Sequence, residues 1–123
     1  MAILAAALVI LVATIHVYIV ILEMVMWRTP RGMRAFGTDQ AFADRSAPLA
    51  ANQGLYNGFL VAGLVWGLLS GGTTGYQVQL FFLGCVVVAG VFGAATVSRR
   101  ILVVQALPAV LALAAVLIAG SGR

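Results

Sequence analysis

The chain has 123 residues, of which 63% are hydrophobic and 8% are charged, and its net charge is +4. Soluble domains contain about 45–50% apolar and about 25% charged residues, so this composition excludes a soluble globular fold and a disordered chain. The positive charge comes from seven arginines against three acidic residues, which is too little to cover a nucleic-acid-binding face. The composition therefore predicts a polytopic membrane protein whose main partner is the lipid bilayer, with no nucleic-acid partner.

Four apolar segments are long enough to cross a bilayer as helices. At about 1.5 Å per residue, roughly 20 residues cross a hydrocarbon core of about 30 Å. None of the segments shows the alternating pattern of a membrane β-strand. We therefore predict an all-α transmembrane bundle of four helices that forms a single domain over residues 1–123. The predicted helices cover about residues 2–26, 49–70, 76–97 and 101–119.

The arginines predict the orientation of this bundle. Six of the seven lie between the first and second helices or between the third and fourth, which places them on one side of the membrane. The positive-inside rule makes that side cytoplasmic and puts both termini on the non-cytoplasmic side, although Arg123 and the N-terminal amine argue the other way. The same six are candidates for contact with anionic lipid headgroups. They are Arg28, Arg31, Arg34, Arg45, Arg99 and Arg100.

The predicted cytoplasmic loop, residues 28–48, contains aromatic residues among its charges. Two interpretations of it remain open: a short helix that lies on the anionic leaflet, and an ordinary solvated loop. Near its end, Ser46 and Pro48 suggest the start of the second helix, with the serine as cap and the proline in the first turn.

Polar residues inside the predicted spans gather at one depth. If Trp27 marks the cytoplasmic boundary, Glu23 lies about 6 Å deep and His16 about 16 Å deep, on one face of the first helix. A charged side chain at the bilayer centre costs about 2.5–3.5 kcal/mol, so such residues turn inward and pair. We predict a polar, cytoplasm-facing interior that contains Glu23, with His16 above it. The other predicted members are Asn52, Gln53, Tyr56, Asn57 and Gln105.

Each of these residues also has a structural interpretation. Glu23 could reach the interface or pair with a loop arginine. The amides could join helices without any further role, and His16 could be a neutral imidazole that is hydrogen-bonded to a neighbouring helix. Tyr56 and the single cysteine, Cys85, fit packing better than chemistry. No metal-ligand or nucleotide-binding motif is present, so we expect no metal and no cofactor.

Small residues indicate how the helices pack. Gly54 and Gly58, and again Gly63 and Gly67, have the GxxxG spacing that lets helix backbones approach closely. These glycine faces would serve internal packing or form a homodimer or larger oligomer. Pro108, near the middle of the fourth helix, would free a backbone carbonyl and permit a kink.

Several strings in the chain resemble a bacterial membrane-protein family, domain of unknown function thirteen-oh-four. They are HVYIVILEMVMW at 16–27, AANQGLYNGF at 50–59, FFLGC at 81–85 and GAATVSR at 93–99. The resemblance covers nearly the whole chain, and the string from Asn52 to Asn57 is its most specific part. It implies a small four-helix protein of a bacterial cytoplasmic membrane, and it implies no established activity, cofactor or catalytic residue.

Three functions remain open. The first is the binding or transport of a small solute, metabolite or proton, with Glu23 as the titrating group and His16 as a midplane relay. The second is a structural subunit of a larger membrane complex. The third is an intramembrane isomerase acting on a lipid-like substrate, with His16 and Glu23 as acid and base. About 10 Å along the helix axis separates these two residues, which makes an enzyme the least favoured of the three.

Overall fold

The computed structural model describes residues 1–120, and every regular element in that range is helical. The prediction of an all-α chain is confirmed, whereas Arg123 lies outside the described residues. The α-helices are α1 (Ala2–Met24), α2 (Pro30–Phe36), α3 (Gln40–Ser70), α4 (Gly72–Thr96) and α5 (Leu107–Gly120), and a π-helical segment (Leu102–Ala106) leads directly into α5.

Three helices are long and apolar enough to cross a membrane: α1, α4 and the continuous helix Leu102–Gly120. The remaining predicted span, residues 49–70, forms the second part of α3, which is not among the three. Its amides lower the hydropathy of that part of the helix, since Asn52, Gln53 and Asn57 follow each other closely. The chain therefore has three candidate spans by length and composition, and the fourth stays a prediction.

The start of α3 differs from the prediction. The helix begins at Gln40, because the Asp39 side chain caps it: the Phe42 backbone N–H donates to Asp39 Oδ1 at 2.8 Å. The prediction of Ser46 as the cap is wrong, since Ser46 lies inside the helix and its hydroxyl donates to the Phe42 carbonyl at 2.7 Å. Pro48 is likewise inside α3.

The contacts of the chain form two compact units, and α1 and α3 each contribute to both. One unit is His16–Phe59, which includes α2. α2 starts with Pro30 after the cap Thr29, whose hydroxyl accepts from the Gly32 N–H, and it ends at Gly37 in the left-handed conformation, with φ 68°. Of the two interpretations of the loop, the structure shows the short helix; its position on the leaflet stays a prediction.

Trp27 connects α2 to α3 within this unit. Its ring packs against Phe36 of α2 with centroids 4.9 Å apart, and its Nε1–H donates to Ser46 Oγ of α3 at 3.0 Å. The sequence predicts an interfacial aromatic residue at position 27. It does not predict the bond to Ser46, because the sequence favours Ser46 as a helix cap.

The other unit consists of Met1–Ile15 and the residues from Leu60 onward. Its buried core includes Val9, Leu64, Leu83 and Ala109. Gly71, with φ 65°, and Gly72, with φ 57°, turn the chain so sharply that α4 begins at residue 72, rather than at 76 as predicted.

α3 and α4 then run antiparallel at close distance. A Cβ on Gly67 would lie 2.7 Å from Gln79 Cγ, and a Cβ on Gly63 would overlap the ring of Phe82. Gln79 also donates from Nε2 to the Gly67 carbonyl at 3.2 Å. The glycines therefore pack these two helices against each other, as their spacing indicates.

The predicted distortion at Pro108 takes the form of a π-helical turn. Proline has no N–H, and its ring crowds the carbonyl four residues earlier, that of Val104. The Leu107 N–H donates instead to the Leu102 carbonyl, five residues back. Ala106, in this turn, packs against Gly90 of α4.

We predict that Gly90→Ala lowers the free energy of unfolding in detergent by about 1–3 kcal/mol, the usual cost of overpacking. A Cβ on Gly90 would lie 2.9 Å from both the backbone nitrogen and the Cβ of Ala106, and backbone cannot move aside easily. Gly84→Ala is the matched control on the same helix, because nothing lies within 4 Å of its Cβ position. Thermal unfolding of the two variants measures the difference, and equal melting temperatures would contradict this packing.

Candidate functional site

One hydrogen bond joins two of the predicted site residues. Asn57 Nδ2 in α3 donates to Glu23 Oε1 at the end of α1, at a distance of 2.6 Å and across 34 positions of sequence. Both side chains are partly buried. Glu23 is the single acidic residue of the three candidate spans. Asn57 is therefore the hydrogen-bond partner of the one acid in these helices.

Small residues bring the two helices close enough for this bond. The inward face of α3 carries Ala43, Ala50 and Gly54 before Asn57, at the spacing of seven, four and three residues that keeps side chains on one helix face. A Cβ on Gly54 would overlap the side chain of Met24 and lie 3.2 Å from Glu23 Cβ. Because the backbone comes so near, the short Asn57 side chain reaches the carboxylate directly.

Three other predicted members of the polar interior lie on the surface. Asn52, Gln53 and Tyr56 are exposed in the described chain, so their place in a polar interior stays a prediction. At about 100° per residue, Asn52 lies about 140° and Tyr56 about 100° from Asn57 around the helix. Gln53, four residues before Asn57, lies only about 40° from it around the helix but is itself exposed.

The remaining predicted residues divide between the two units. His16 is only 1% exposed and lies on α1, seven residues before Glu23. Gln105 belongs to the π-helical segment of the other unit and is half-buried. The six predicted cytoplasmic arginines are all exposed, namely Arg28, Arg31, Arg34, Arg45, Arg99 and Arg100.

Most of the predicted packing glycines pack against helices of the same chain. Gly54 packs against α1, whereas Gly63 and Gly67 pack against α4. Gly58 has open space beside it, since nothing lies within 4 Å of its Cβ position. Internal packing is therefore the observed role of three of the four glycines. Of these four, only Gly58 is open to contact with another copy of the chain.

Two of the cavities in the described chain lie away from this pair. The first is an open apolar groove of about 680 Å³ along α4, lined by Leu80, Phe81, Gly84, Cys85, Val88, Ala89 and Phe92. The second, of about 210 Å³, has residues from four helices around it, including Ala2, Leu68, Gln79 and Val116. Neither is lined by Glu23 or Asn57, and residues 1–120 contain no group of three potential metal-binding side chains.

We predict that Asn57→Leu lowers the free energy of unfolding in detergent by about 1–3 kcal/mol, because Glu23 loses its partner while partly buried. Asn52→Leu is the matched control: it makes the same change on the exposed side of the same helix and leaves stability unchanged. Glu23→Gln retains an oxygen that accepts from Asn57, so its effect is smaller than that of Asn57→Leu. Chemical unfolding of the variants measures the order, and equal losses at Asn57 and Asn52 would contradict it.

The comparisons with known proteins agree with the resemblance in the sequence. The family described as "Protein of unknown function (DUF1304)" matches residues 10–117. No curated protein and no solved structure gave a significant match. Since the family match extends over most of the 123 residues, the chain belongs to this family of proteins of unknown function.

Proposed function

We propose that the chain is a four-span protein of a bacterial cytoplasmic membrane and that its Glu23–Asn57 pair binds and passes a proton. The observation that carries this proposal is the 2.6 Å hydrogen bond between the carboxylate and the amide. The apolar helices α1, α4 and Leu102–Gly120 are compatible with a membrane protein. The fourth span, the orientation and the proton are our inferences.

The packing of α3 supports a fourth span. Gly63 and Gly67 of α3 lie against Phe82 and Gln79 of α4, a candidate span, and Leu64 between them is fully buried. A helix packed in this way along a spanning helix occupies the same depth. In addition, residues 49–70 of α3 provide 22 residues, enough to cross the hydrocarbon core.

The six exposed arginines support the orientation, because they fall on the connections that a four-span threading places on one side.

We predict that, in a Cys85→Ala background, Thr73→Cys reacts with a membrane-impermeant maleimide on intact cells. Ala41→Cys, equally exposed, is expected to react only after the membrane is opened. Labelling in the reverse order would contradict the orientation.

The chemistry of the pair suits a group that gains and loses a proton. An ionised Glu23 accepts from the Asn57 amide nitrogen, as in the structure. A protonated Glu23 has an O–H to donate, and the Asn57 side chain also carries a carbonyl oxygen that accepts. Asn57 can therefore bond both forms, so the contact between α1 and α3 need not break when the proton arrives or leaves.

The closed geometry favours a proton over a larger solute or metabolite. The two side chains bond directly to each other, and they line neither the groove along α4 nor the smaller cavity. A proton needs no cavity of its own, because it moves along hydrogen bonds. His16, buried two turns further along α1, is the group we assign as the relay.

We predict that proteoliposomes containing the wild-type protein and a trapped pH-sensitive dye acidify faster than empty liposomes when a membrane potential drives protons inward. Glu23→Gln removes the titrating group, so its rate falls to that of empty liposomes, and His16→Ala lowers the rate by removing the relay. Gln53→Leu, which alters an exposed amide, retains the wild-type rate. Equal rates for wild-type protein, Glu23→Gln and empty liposomes would contradict the proposal.

A second function, as a subunit of a larger membrane complex, is favoured by the groove along α4. The groove combines large apolar side chains such as Phe81 and Phe92 with the small residues Gly84, Cys85 and Ala89. Small residues on an apolar helix let a neighbouring transmembrane helix approach closely. An intramembrane isomerase gains no such support, because neither cavity is lined by His16 or Glu23.

A further inference from the structure

The outer face of α3 carries a row of exposed side chains that the proton site does not use. We call it the α3 stripe, and it consists of Arg45, Leu49, Asn52, Tyr56 and Phe59. Their spacing of four, three, four and three residues keeps them on one side of the helix. Leu49 is 71% exposed, Tyr56 57% and Phe59 54%, so the stripe is open along its length.

The polar members of the stripe have unused hydrogen-bonding capacity. Within residues 1–120, neither the Arg45 guanidinium nor the Asn52 amide has a hydrogen-bond or ion-pair partner. Tyr56 contacts Phe59 edge to face, with ring centroids 5.7 Å apart, and this contact leaves its hydroxyl free. This inference rests on the proposed fourth span: with α3 in the membrane these groups face lipid, where a polar side chain without a partner is costly.

The order of the side chains corresponds to the polarity of a phospholipid. Arg45 lies furthest from the predicted hydrocarbon core, followed by the amide and phenol of Asn52 and Tyr56, and then by the phenyl ring of Phe59. The distance from Arg45 to Phe59 is about 21 Å along the helix, which extends from the headgroup region into the acyl chains. A guanidinium pairs well with a phosphate, and tyrosine is typical of the membrane interface.

We propose that the α3 stripe binds an anionic phospholipid. Arg45 pairs with the phosphate, Asn52 and Tyr56 hydrogen-bond the polar groups between headgroup and chains, and Leu49 and Phe59 contact its apolar parts. The exposed arginines of the same unit outnumber its exposed acids, Asp39 and Asp44, and so favour an anionic headgroup; they are Arg28, Arg31, Arg34 and Arg45. A second copy of the chain fits this face poorly, because a two-fold contact there brings the two Arg45 side chains together.

Native mass spectrometry of the detergent-solubilised protein, with added dioleoylphosphatidylglycerol or dioleoylphosphatidylcholine, tests the proposal. We expect the wild-type protein to retain phosphatidylglycerol in preference to phosphatidylcholine. Arg45→Gln lowers retention of phosphatidylglycerol by about fivefold, the effect of one charge at a membrane surface. Asn52→Ala lowers retention of both lipids by about threefold.

One variant serves as a matched control. Gln53→Ala removes the neighbouring exposed amide, which lies outside the stripe, so it retains wild-type binding. Thermal unfolding confirms that every variant is folded. Arg45→Lys keeps the positive charge, so it retains much of the preference for phosphatidylglycerol over phosphatidylcholine. Displacement of the lipid by inorganic phosphate, equal losses at Asn52 and Gln53, no loss at Arg45, or dimers that disappear with Asn52→Ala would overturn the proposal. None of these outcomes depends on proton flux.

Discussion

The hydrogen bond from Asn57 to Glu23 is the contact on which the candidate site depends. A carboxylate in an apolar helix needs a partner, because the hydrocarbon around it offers none. In this chain the partner is an amide rather than an arginine, although six arginines lie near the same predicted side of the membrane. An amide compensates the carboxylate without a second formal charge. The pair therefore suits the proposed proton site, whereas an arginine would favour the charged form of Glu23.

This bond is possible only because α1 and α3 approach closely. Gly54 lets the α3 backbone approach Met24 and Glu23. Asn57 has a short side chain, so a larger residue at position 54 would move its amide out of reach of the carboxylate. Gly54 and Asn57 therefore depend on each other, because the close packing at Gly54 sets the distance across which Asn57 can bond Glu23.

Much of the fold follows from the sequence, because length and hydropathy are sufficient to identify apolar helices and GxxxG spacing is sufficient to indicate close packing. The start of α3 did not follow, since Asp39 and Ser46 are both good caps and only the folded chain shows which one is used. The site was predicted in part. Depth counting brings Glu23 and Asn57 to one level, but it does not show which side of α3 faces α1. Asn52 and Tyr56 share that level but lie on another side of α3, and Gln53, close to the side of Asn57, is exposed.

The two asparagines of α3 show why depth alone is insufficient. Asn52 and Asn57 are five residues apart, which separates them by about 140° around the helix, so one faces α1 and the other faces outward. The inward amide is satisfied by the protein, and the outward amide has to be satisfied by whatever surrounds it. If α3 crosses the membrane, that surrounding is the polar edge of the bilayer. Under the two proposals, the same short stretch of sequence pairs with the acid on one side and with a lipid on the other.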